Sequence, residues 1–231
     1  MYRCPMSAND ESWPSRRYRC ALLLITGLLA FGGCKPVPRA PVPPPPLQLE
    51  VLQPELARRT RRIAVVGFEN STHCRHAAYE VQSALAAAMR MKGCCEMVDM
   101  SHYWYDLCRM DAVLRAEYPI EVLARAWREF HCDAVMFARV NDFNPYPPLS
   151  LSVTIRIVDA ADAVLVGALD QHWSLADPQV LAAYQQWLEH RFPNCRQPEI
   201  YLASPLVFRQ FAMEQVATHW CRVRAATMPR R

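Results

Sequence analysis

The hydrophobic pattern of this chain changes period several times, and each change marks an element. Residues 63–67, Ile-Ala-Val-Val-Gly, form a continuous apolar run within Arg62–Asn70, with Arg61 and Arg62 before it and Glu69 after. A short apolar run closed by a polar turn signal predicts a strand covered on both faces. The period then lengthens. Ala77, Val81, Ala84, Leu85, Ala88 and Met89 recur at three and four, a helical stripe. Ser71 and Thr72 are expected to cap its start, and Gly93 to end it in a left-handed turn. A short strand is expected over 96–99.

Further along, Met110, Val113 and Leu114 predict a short helix within 101–117. Pro119 opens the next helix, where its missing N–H costs nothing. Ile120, Leu123, Ala124, Trp127 and Phe130 are expected to be its inward face. A second buried strand is predicted over 134–140. Leu149, Leu151, Val153, Ile155 and Ile157 then alternate with Ser150, Ser152, Thr154 and Arg156, a period-two strand with one wet face. Residues 159–162 turn it into an antiparallel partner over 163–173. Asp177-Pro178 starts a helix carrying Val180, Leu181, Tyr184, Trp187 and Leu188. After a loop over 193–198, Ser204-Pro205 starts a last helix carrying Leu206, Phe208, Phe211, Met213, Val216 and Trp220. The order β-α-β-α-β-β-β followed by C-terminal helices predicts a single mixed α/β domain, three-layer-like, with a mixed parallel and antiparallel sheet.

The N-terminal third has another character. The longest uninterrupted apolar run, 21–31, is shorter than the roughly 20 residues that span a bilayer. Arg16, Arg17 and Arg19 precede it, and Gly32, Gly33 and Cys34 follow, which is the layout of a secretory signal peptide. Its end, Ala30-Phe31-Gly32-Gly33-Cys34, resembles a bacterial lipobox with Phe31 where Leu is usual. That resemblance implies that Cys34 becomes the lipidated first residue. Residues 35–54 hold eight prolines, among them Pro43 to Pro46, and favour polyproline II. The expected parsing is a signal over 1–33, a lipid-anchored tether over 34–61, the α/β domain over 62–224 and a basic tail over 225–231.

Charge narrows the partners. Residues 1–33 carry four of the 26 basic and two of the 22 acidic residues, so the remainder has 22 against 20, a net of +2. A nucleic-acid interface wants a concentrated basic face. Here the cluster is Arg58, Arg59, Arg61 and Arg62, expected to be a solvated entry to the first strand, and no nucleic-acid partner is expected. Ten cysteines, less Cys4 and Cys20 in the signal and Cys34 at the lipid, leave seven. An export route permits disulfides, but spacing does not assign the pairs.

Candidate chemistry is sparse. His73-Cys74-Arg75-His76 puts two imidazoles three residues apart at a helix start, with Cys74 near the positive end that lowers a thiol pKa. Zinc takes three or four ligands, and no second Cys/His pair stands at ligand spacing, so a solvated, capping or packing role is expected there. Cys94-Cys95 offer either a core contact or a redox pair. Asp159 and Asp162 are expected to satisfy a hairpin turn. In Tyr103-Trp104-Tyr105, three aromatics in succession cannot share one buried face; core or cap packing is the expected role, with exposure of one ring to a partner as the alternative. No catalytic residue, metal ligand or cofactor is assigned.

Three segments resemble the curli-export lipoprotein (CsgG) family and the related TolB amino-terminal-like domains. They are Ile63-Ala64-Val65-Val66-Gly67-Phe68-Glu69-Asn70, Cys132-Asp133-Ala134-Val135-Met136-Phe137-Ala138, and Val153-Thr154-Ile155-Arg156-Ile157-Val158-Asp159-Ala160. Together they span about 62–174, with Gly67 where the family has Pro and Ala161-Asp162-Ala163 in place of a Thr-Gly turn. The resemblance implies either a secretion-pore subunit, which needs long membrane hairpins, or a lipoprotein like those that activate penicillin-binding proteins across the periplasm. Short turns between the strands of 134–173 favour the second. The expected function is therefore a non-enzymatic binding or assembly module, lipid-anchored to the outer membrane and facing the periplasm. Its partners would be the membrane, through the lipid, and an unspecified envelope protein, with self-association left open. The alternative is an envelope thiol or metal-dependent enzyme using Cys74 with His73 or His76.

Overall fold

The computed structural model describes residues 47, 49–104, 109–193 and 198–226. The signal, Cys34 and most of the proline-rich segment therefore lie outside the described residues. The chain forms β1 (Leu49–Val51), α1 (Pro54–Arg59), β2 (Arg62–Asn70), α2 (Ala77–Lys92), β3 (Glu96–Asp99), α3 (Ser101–Trp104), α4 (Met110–Leu114) and α5 (Ile120–Arg128). It continues as β4 (Ala134–Asn144), β5 (Ser150–Asp159), β6 (Leu165–Ser174), α6 (Pro178–Arg191), α7 (Pro198–Leu202) and α8 (Pro205–Ala226). The six strands make one sheet in the order β1-β6-β5-β4-β2-β3. β2 is parallel to β3 and β4, and the other neighbours are antiparallel.

The mixed α/β three-layer expectation is met. On one face the sheet packs Ile63, Val65, Met136, Ile155 and Trp173 against α2, α6 and α8. On the other, Ala64, Val66, Val135 and Phe137 meet Met110, Val113, Val122 and Leu123 of α4 and α5. Successive residues of a strand point to opposite faces, so the apolar run of β2 feeds both cores. Asp133 joins the starts of β2 and β4: its Oδ2 accepts the N–H of Arg61 at 2.7 Å and of Arg62 at 2.9 Å.

Local signals act as expected at several ends. Gly93 closes α2 at φ 64°, donating its N–H to Met89 O. Asp177 Oδ1 accepts from Gln179 N at 2.8 Å and caps α6. Ser204 Oγ accepts from Val207 N at the start of α8. Asp159 Oδ1 accepts from the N–H of both Ala161 and Asp162, so the carboxylate holds the β5–β6 turn.

Four expectations are corrected. The domain begins ahead of residue 62: β1 pairs with β6, and Ala57 of α1 is fully buried. Residues 49–61 are thus not tether. Leu47, Leu49 and Val51 all touch the core, a period-two alternation that marks a strand. Ser71 and Thr72 do not cap α2, which starts at Ala77 after His76 with no side-chain cap. The inward face of α5 is Val122, Leu123 and Ala126, whereas Ile120 is 75 % and Trp127 48 % exposed. Seven residues apart, those two share one helical face, and the sheet took the face beside it. Finally, a short helix, α7, begins at the end of the segment expected to be loop.

Candidate functional site

The His73–His76 segment is held by its own polar groups. Asn70 Oδ1 accepts from Thr72 N at 3.0 Å and from Thr72 Oγ1 at 2.8 Å, and Asn70 Nδ2 donates to Cys74 O at 2.9 Å. Cys74 N donates to Thr72 Oγ1 at 3.1 Å, while its thiol donates to Phe143 O at 3.8 Å. His73 and His76 are both exposed. Among the described residues, no group of three or more His, Cys, Asp or Glu is placed to hold a metal.

The other cysteines separate into two kinds. Cys94 is joined to Cys221 of α8 by a disulfide. Its neighbour Cys95 is half-buried, and burial pushes its thiol up to about 11, against the opposing charge of Arg224. Burial does the same to Cys132, also to about 11. A thiol so raised is protonated at neutral pH and is a poor nucleophile. The side chains of Tyr103-Trp104-Tyr105 lie outside what the structure describes.

The structure assembles polar features that the sequence did not suggest. Beyond the area covered by α4 and α5, the second face of the sheet carries charged side chains in two networks. Arg139 lies between Asp111, at 2.6 Å, and Glu69, at 3.0 Å. Burial opposes the charge on Arg139, but the hydrogen bonds to Asp111 and Glu69 outweigh it and raise its pKa; Asp111 is held below the usual carboxylate range by the same contact. In the second network, Asn141 Nδ2 donates to Thr154 Oγ1, Thr154 Oγ1 donates to Asp170 Oδ1, and Asp170 Oδ2 accepts from Arg156 Nη2 at 2.7 Å. Beside it lies a shallow depression lined by Asn141, Ser152, Thr154, Asp170 and His172.

A second crevice stands at the carboxyl end of β2. From β2 the chain passes to α2 on one face, and from β3 it passes to α4 and α5 on the other. Open α/β sheets bind ligands where successive connections diverge in this way. The crevice is lined by Gly67, Phe68, Tyr79, Gln82, Ser101 and His102, with Tyr79 73 % exposed. Gly67 has φ 100°, at the irregularity between Val65 and Phe68 where β2 shifts register against β4. Phe68 N–H, past the end of β3, donates to Gln82 Oε1 at 3.2 Å. Sequence pattern could not place these residues together, because Ser101 and His102 reach the crevice only through strand pairing. Among the described residues, no helix is long and apolar enough to cross a membrane.

Fold and polar surfaces define a mixed α/β open-sheet domain. No protein-family model matches the chain, and no curated protein sequence matches it. Among solved structures it is similar to the PelC dodecamer from Paraburkholderia phytofirmans, at 16 % identity over 58 % of this chain and 87 % of that chain, TM-score 0.40. It is similar to the lipoprotein GNA1162 from Neisseria meningitidis, at 15 % identity over 58 % of this chain and 98 % of that one, TM-score 0.39. A third likeness is the LpoB C-terminal domain from Salmonella enterica, at 11 % identity over 53 % and 94 %, TM-score 0.35. At these scores neither activity nor partner is taken from them.

Proposed function

We infer that this chain is a non-enzymatic, lipid-anchored protein of the bacterial cell envelope, a binding or assembly module held at the periplasmic side of the outer membrane. The observation that carries the reading is the Cys94–Cys221 disulfide. Disulfides persist where the surroundings are oxidising, and the signal-like N-terminal stretch ends in Ala30-Phe31-Gly32-Gly33-Cys34. A single pair of signals, export and acylation at Cys34, accounts for both. The three segments similar to the curli-export and TolB amino-terminal-like families support the same address. β2, β4 and β5, which carry them, are three of the four interior strands of the sheet.

Binding is supported by two open surfaces, the mixed polar and aromatic crevice at Gly67 and the uncovered polar sheet face at Thr154 and Asp170. The test is fractionation of the full chain expressed in a Gram-negative host. The native chain should sediment with outer membranes and carry a lipid mass at Cys34, and Cys34→Ser should release it or stall its processing. Unchanged fractionation and mass would exclude the lipid anchor. Capture of envelope proteins by the anchored chain, weakened by substitutions at Asp170 or Tyr79, would then identify which surface is used.

A further inference from the structure

β3 covers only the first part of the edge of β2. It pairs with Arg62 to Val65, and Met100 N, one residue past β3, still donates to Val65 O at 2.8 Å. The chain then leaves the sheet as α3. Among the described residues, no strand lies beside Phe68 to Asn70 on that side. The irregularity at Gly67 decides which groups face the gap. Before it, Arg61 and Val65 turn their carbonyls to the β3 side. After it, Ser71 N donates to Val140 O on the β4 side. Main-chain groups alternate sides along a strand, so Phe68 and Asn70 turn theirs to the gap.

One of those groups already has a partner. Phe68 N–H donates to Oε1 of Gln82, an amide that stands where the carbonyl of a neighbouring strand would be. Phe68 O and Asn70 N–H remain, an acceptor and a donor two residues apart. Among the described residues, neither has a hydrogen-bond partner. In a parallel ladder, a single residue donates its N–H to the first of such a pair and accepts the N–H of the second. Tyr79, Gln82, Ser101 and His102 form the walls of the crevice at this gap. An exposed sheet edge is where an extended peptide adds a strand, through its main chain.

We propose that the crevice at Gly67 binds an extended peptide segment of a partner protein, which runs parallel to β2 and in line with β3. One residue of the segment, opposite Glu69, donates its N–H to Phe68 O and accepts the N–H of Asn70, while Gln82 keeps Phe68 N–H. Directly opposite residues share a face of the sheet, so that side chain lies beside the Glu69 carboxylate, which also meets Arg139 at 3.0 Å. A polar side chain fits there. Its two neighbours turn to the other face, where Phe68 is buried and Tyr79 is exposed, and apolar or aromatic side chains fit. The proposal rests on the binding-module reading and names the class of ligand that the module takes.

The test selects short random peptides, displayed on phage, against the full chain. A selected peptide should lose about tenfold in affinity when one internal residue is N-methylated, the effect of a lost main-chain hydrogen bond. Bound peptide should slow amide exchange at Asn70 at least roughly tenfold and leave Phe68, already bonded to Gln82, unchanged. Tyr79→Ala should weaken binding without moving the melting temperature, because the ring is exposed. The same peptides should bind Cys34→Ser equally well, so failure of the lipid anchor leaves the site standing. A selection that yields no binder would overturn the proposal. So would peptides that tolerate N-methylation at every position or leave Asn70 unprotected. Capture of envelope proteins that Asp170 substitutions weaken and Tyr79→Ala does not would keep the binding module and overturn this site for it.

Discussion

Cys94, in the turn ahead of β3, and Cys221, near the end of α8, are joined across 127 residues of sequence with their Cα atoms 5.5 Å apart. The bond ties the short edge strand β3 to the long C-terminal helix that covers the sheet. It closes a long loop, and removing such a native bridge costs roughly 2–5 kcal/mol. Cys94→Ala with Cys221→Ala should therefore lower the urea midpoint clearly, and reduction of the native chain should do the same. An unchanged midpoint would show that the packing of α8 holds β3 without the bridge.

Phe137 of β4 is 2 % exposed in the core beneath α4 and α5, with Tyr118 stacked on it at 6.4 Å. Phe137→Ala should cost about 3–5 kcal/mol through lost transfer energy and the cavity left behind. Domains of this size are stable by about 5–15 kcal/mol, so the melting temperature should fall visibly. A cost under about 1 kcal/mol would mean that the second core does not stabilise the sheet.

His73 and His76 are exposed in the loop ahead of α2. Their joint replacement by Ala should change stability by no more than about 0.5 kcal/mol per site, and a chelator should leave the melting curve unmoved. A metal centre would behave in the opposite way, because its binding energy is also folding energy. A large loss on mutation, reproduced by chelation, would restore the enzyme alternative at Cys74.

Limited proteolysis maps the true start of the domain. With β1 hydrogen-bonded to β6, and Arg224 of α8 donating to Ala57 O and Arg58 O at the end of α1, residues 49–60 should be protected. The stable core should begin ahead of residue 49. Cleavage that leaves a core starting near 60–62 would detach β1 and α1 from the domain.

His219 of α8 is partly buried, and burial, reinforced by the charge of Arg222, holds its pKa below the ordinary histidine value. The folded chain then takes up its proton at lower pH than the unfolded chain does. The contribution of His219 to stability is complete above about pH 6.5, the unfolded value, and declines as pH falls toward the folded pKa. Melting temperatures measured from pH 8 to 5 should fall in that window, and His219→Gln should flatten the fall. An identical slope in the variant would assign the effect to other groups.

Where the sequence succeeded, the interaction was local. Gly93, Asp177 and Asp159 act on backbone groups within four residues of themselves, so their roles follow from residue type and neighbours. β5 was legible because Leu151, Val153, Ile155 and Ile157 keep one period over its length. The α5 face was not, because Ile120 and Trp127 are as apolar as the residues beside them, and only contact with β4 decides which stripe is covered. Prolines on one side of Leu47-Gln48-Leu49-Glu50-Val51 hid a three-residue strand whose alternation is too short to stand alone.

By itself the sequence determined the class of fold, the order of its principal elements and most of their ends, since propensity, capping and periodicity act over a few residues. Tertiary structure alone decided that Cys94 meets Cys221, that Ser101 and His102 join Gly67 and Gln82 at one crevice, and that Arg139 lies between Glu69 and Asp111. Each of these joins parts of the chain that are well separated in sequence, and their meeting depends on strand order and register. A register is settled by burying one face of every strand at once, which is a property of the whole sheet and of no single stretch within it.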